Sequence, residues 1–66
     1  MADTPAHDET QIIEAAFEDR VRDIFKVFAE AIYTGETERD AATRFRRGLV
    51  SARRARAAAL EAAKEG

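Results

Sequence analysis

An all-α fold, an antiparallel two-helix hairpin, is predicted by three features of this 66-residue chain. Apolar residues recur at three- and four-residue spacing through its first half. A glycine, Gly35, follows directly on that run, where a left-handed C-terminal cap belongs. From Ala41 to Lys64 no proline appears, and strong helix formers dominate. Alanine fills 15 of the 66 positions, and the β-branched and aromatic runs of strands are missing.

The elements follow in order. Residues 1–8 read as a flexible N-terminal tail, because Met1 to His7 lack periodicity and hold the only proline. Residues 9–66 form a single helical hairpin. Asp8 or Thr10 caps the first helix, and Asp8 with Gln11 has capping-box spacing. Ile13, Phe17, Val21, Ile24, Phe28 and Ile32 then mark a helix over about 9–33. The connection Thr34–Glu36 is short enough to fold the chain back on itself. Thr37, three residues before Asp40, caps a second helix over about 37–64, with a local weak point at Gly48.

The two helices have unequal faces. On a wheel centred on Ile24, the residues Ile13, Phe17, Val21, Phe28 and Ala31 lie within about 60°. Val27 stands on one flank, and Phe25 and Ile32 on the other. This arc, about 160° wide, exceeds what one neighbouring helix covers. The second helix groups Ala42, Phe45, Leu49, Ala52, Ala59, Leu60 and Ala63, mostly small, with Arg56 in their midst and Arg53 on the rim. Two such helices bury little area against the ordering entropy of some 50 residues. Chains this short normally add a disulfide, a metal or a second subunit. There is no cysteine. The reading is therefore a homodimer closing a four-helix bundle, or an accessory subunit docked on a larger protein. Its interface would use Ile13, Phe17, Val21, Ile24, Phe25, Phe28 and Ile32, opposed by Phe45, Leu49 and Leu60.

Charge is segregated. Residues 1–34 carry eight acids and three bases, a net of −5; residues 35–66 carry five acids and eight bases, a net of +3. In a hairpin turning at Gly35, residues whose numbers add to about 70 lie opposite each other, so Glu14 should meet Arg56 and Glu18 should meet Arg53. Arg44, Arg47 and Arg54 fall within about 80° of one another on the outer side, a candidate phosphate-binding stripe and the basis of an alternative role in nucleic-acid binding. Against it, Asp40, Glu61 and Glu65 share that side, the isoelectric point is about 5.3, and no aromatic stands among the arginines to stack on bases.

Motifs for catalysis are missing. His7, the sole histidine, sits in the tail; Ser51, the sole serine, has no histidine near it in sequence. Neither a Glu-x-x-His pattern nor a glycine-rich phosphate loop occurs. The expectation is a non-enzymatic interaction protein, cytoplasmic, without cofactor, metal site or membrane segment. In outline the hairpin resembles plasmid copy-number regulators that dimerise into four-helix bundles and bind RNA hairpins; no motif in these residues supports homology with them.

Overall fold

The computed structural model of the chain describes residues 9–65. They form two helices, α1 (Glu9–Tyr33) and α2 (Glu38–Glu65), packed as an all-α hairpin. At 1.5 Å per residue their 25 and 28 residues span about 38 and 42 Å. The bounds differ from the sequence expectation by one residue at either end of α2. The expected cap Asp8, the tail 1–8 and His7 lie outside the described residues.

The turn is built by backbone chemistry. Gly35 takes a φ of 106°, the left-handed region that side chains disfavour. That conformation lets Gly35 N–H donate to the Ile32 carbonyl (3.1 Å) and Glu36 N–H donate to the Ala31 carbonyl (3.0 Å). The pair is the Schellman closure of a helix C-terminus. The Thr34 hydroxyl donates to the Glu30 and Ala31 carbonyls, at 3.0 and 3.1 Å. Orphan carbonyls at the end of α1 thus find partners. Two residues later Thr37 starts α2: its Oγ1 accepts from Asp40 N–H at 3.2 Å, and its carbonyl accepts from Ala41 N–H at 3.1 Å. Glu38 and Asp40 then place negative charge in the first turn, where the helix dipole favours it.

The core is thin. Among the described residues only Ile24, Ala31, Ala41 and Ala52 are buried, and three of those four are alanines. At Gly48 the missing side chain leaves room for Ile24 of α1. A Cβ on Gly48 would stand 3.2 Å from Ile24 Cδ1 and 3.3 Å from its Cγ2. Gly48 therefore acts as a point of close approach within a continuous helix rather than as a break. The face expected for α2 is the one turned to α1: Ala52 is buried, and Ala42, Phe45, Leu49, Ala59, Leu60 and Ala63 are half-buried. The buried line runs through Ala41, Gly48 and Ala52, with Ala41 at 1% exposure. Leu49 and Leu60, members of the expected face, sit half-buried about 70–90° round the helix from that line. No helix among the described residues is long and apolar enough to cross a membrane.

Candidate interaction surface

The hairpin has two unlike sides, set by which residues flank the buried line. On one side of α1 stand Val21, Phe25, Phe28 and Ile32, and the matching side of α2 carries Ala42, Phe45, Leu49 and Leu60. Three aromatic rings link the two helices across it. Phe28 lies 5.1 Å from Phe45 between centroids, and Phe25 lies 6.4 Å from Phe28. The row runs from the helix contact out to Phe25, which remains 55% exposed. Of the residues expected at an interface, Ile24 is buried, Phe25 is exposed, and Ile13, Phe17, Val21, Phe28, Ile32, Phe45, Leu49 and Leu60 are half-buried.

A charged cluster closes this side at its far end from the turn. Arg56 Nε donates to Glu14 Oε1 at 2.9 Å, with both side chains 39% exposed. The same guanidinium lies over the Phe17 ring, 5.1 Å from its centroid. The ion pair was legible from the hairpin register; the ring beneath it was not. The other expected pair, Glu18 with Arg53, is not formed among the described residues. The wheel gives the reason. Glu14 and Arg56 lie about 90° and 50° from the buried line of their helices, close enough to converge. Glu18 and Arg53 lie about 130° and 110° from it, so their side chains diverge to opposite rims.

The opposite side holds Val27, 64% exposed, and two open grooves of about 240 Å³ each. One is lined by Arg20, Asp23, Ile24, Val27, Phe28, Ala41, Arg44, Phe45 and Gly48. The other lies among Ile13, Ala16, Phe17, Arg20, Ala52, Ala55, Arg56 and Ala59. Two shallower surface grooves of about 450 Å³ each lie at Lys26, Val27, Glu30 and Arg44 and at Thr43, Arg46, Arg47 and Val50. Among the described residues, no group of three or more His, Cys, Asp or Glu side chains is placed to hold a metal.

The three arginines of the outer stripe have different settings. Arg44 donates to Glu36 Oε1 at 2.7 Å, spanning the first two turns of α2. Arg47 and Arg54 are exposed and have no ion-pair partner among the described residues. The acid on Arg44 comes from the connection, a position that the helical wheel omits. A second basic row escaped the sequence reading: Arg39, Arg46 and Arg53, seven residues apart along the rim beyond Leu49, all exposed. None of these three forms an ion pair among the described residues. Comparison with protein-family models, with curated proteins and with solved structures finds no match to this chain.

Proposed function

We propose that this protein acts by contact rather than by catalysis, as a small helical interaction module that pairs with a second copy of itself to form a four-helix bundle. One observation carries the reading: among the described residues a hairpin of 25- and 28-residue helices buries four side chains, three of them alanine, while Phe25, beside the half-buried Phe28 and Phe45, stays 55% exposed. A side about 38 Å long and two helices wide offers roughly 750 Å² per copy. Pairing two such sides clears the roughly 1,000 Å² of total area that a specific interface needs. The rings of Phe25 and Phe28 with Phe45 supply the kind of aromatic anchor on which such interfaces depend. Docking of the same side on a larger protein, as an adaptor or accessory subunit, is the nearest variant.

Light scattering at micromolar concentration tests the reading. A mass of two chains or more is expected; a stably folded monomer defeats it. The alternative, a nucleic-acid-binding regulator using Arg44, Arg47 and Arg54, is supported by the two members of the stripe that have no acidic partner among the described residues. It is weakened by Glu36, which already holds Arg44. Titration of duplex and single-stranded RNA and DNA at low salt separates the two. Phosphate binding would fall steeply with salt, with a slope reduced by about one for each arginine replaced.

A further inference from the structure

The rim charges left without an ion pair among the described residues bear on how a second copy would sit. Two hairpins stacked face to face with two-fold symmetry have two arrangements. With the axis along the bundle, both turns lie at one end and each α1 neighbours α2 of the other copy. With the axis across the bundle, the turns lie at opposite ends, and α1 neighbours α1 while α2 neighbours α2. The helices differ in charge: α1 carries six acids and three bases, a net of −3, and α2 carries four acids and eight bases, a net of +4. The second arrangement sets the row Arg39, Arg46 and Arg53 against its own copy. The first sets that row against an acidic helix.

Register sharpens the choice. Within the hairpin, Glu14 stands level with Arg56, Ile24 with Gly48, and Phe28 with Phe45. An axis along the bundle preserves these heights between copies. Glu18, on the outer rim of α1, then stands level with Arg53 of the second copy, on the rim that faces it. Phe25 of one copy points at Leu49 of the other. The two charges that diverge within one chain are the two that converge between chains.

We infer that the dimer is formed with both turns at the same end, α1 of each copy packed on α2 of the other, and Glu18 of each copy paired with Arg53 of its mate. This inference rests on the self-association proposed above. The pair sets the arrangement more than it adds affinity, because like charges on the rim penalise the wrong topology.

The chain has no cysteine, so single cysteines report position cleanly. The test mixes Glu18→Cys with Arg53→Cys chains, joins them with a short bismaleimide, and reads the products by mass. Cross-links between position 18 and position 53 of different chains are expected to predominate. Links of 18 to 18 or 53 to 53, or no links in a sample that light scattering shows to be dimeric, overturn the arrangement and leave self-association standing. A monomer by light scattering overturns both. A second variant tests the ion pair without relying on reagent geometry. Glu18→Arg should raise the dimer dissociation constant about fivefold at low salt, with the difference shrinking as salt is added. An unchanged constant at low salt removes the pair from the proposal.

Discussion

Gly35 and Gly48 use the same missing Cβ for opposite ends. At Gly35 there is open space around the absent carbon, and only the φ of 106° resists a side chain. Gly35→Ala should therefore cost about 1 kcal/mol through backbone strain and leave the fold intact. In a domain of this size the melting temperature should fall by roughly 4–8 °C at fixed protein concentration. At Gly48 the backbone is ordinary helix, and Ile24 occupies the space. Gly48→Leu should force the helices apart and cost about 1–3 kcal/mol by denaturant titration. A neutral result there would mean that the helices do not meet at this point. Arg56 combines an ion pair of about 0.2–1 kcal/mol with a ring contact of about 0.5–1 kcal/mol. Arg56→Ala should lose about 1–2 kcal/mol, and Arg56→Met, which keeps an apolar stem against Phe17, should lose less.

Within each element, the terminal signals are local chemistry, and they were readable as such. A glycine able to adopt positive φ ends α1, and a threonine whose hydroxyl meets Asp40 N–H begins α2. Thr37→Ala should destabilise the protein by about 1 kcal/mol, followed as a lower denaturant midpoint with an unchanged slope. Breaking the Arg44–Glu36 pair should change stability by less than about 0.5 kcal/mol, since both side chains are well exposed. The facing of α2 was less legible. A helical wheel ranks residues by hydrophobicity, which favours Leu49 and Leu60. The packed pair buries Ala52, which belongs to the expected face, together with Ala41, which does not, and sets Gly48 against Ile24. Glu18 and Arg53 fail to meet because they lie about 130° and 110° from the buried line of their helices.

For the molecule as a whole, the balance of buried and exposed surface is the governing quantity. If a second copy covers the Phe25 side, stability is tied to protein concentration. The melting temperature should rise over a hundredfold increase in concentration, and a constant value would contradict self-association. Phe25→Asp removes about 1.5–3 kcal/mol of apolar burial from each copy and places a carboxylate against Leu49 of the mate. It should shift the mass to that of one chain and lower the melting temperature.

Two helices, their bounds to within a residue, the reversal at Gly35 and the Glu14–Arg56 pair all follow from the order of residues along the chain. Each of these depends on neighbours along the chain or on a register counted from the turn. Packing in three dimensions sets which edge of the α2 face is buried deepest, which acid holds Arg44, and which charges are left on the rims. Those outcomes follow from the rotation of one helix about its own axis. That rotation is fixed by the fit of Ile24 against Gly48, a contact between residues far apart in the chain.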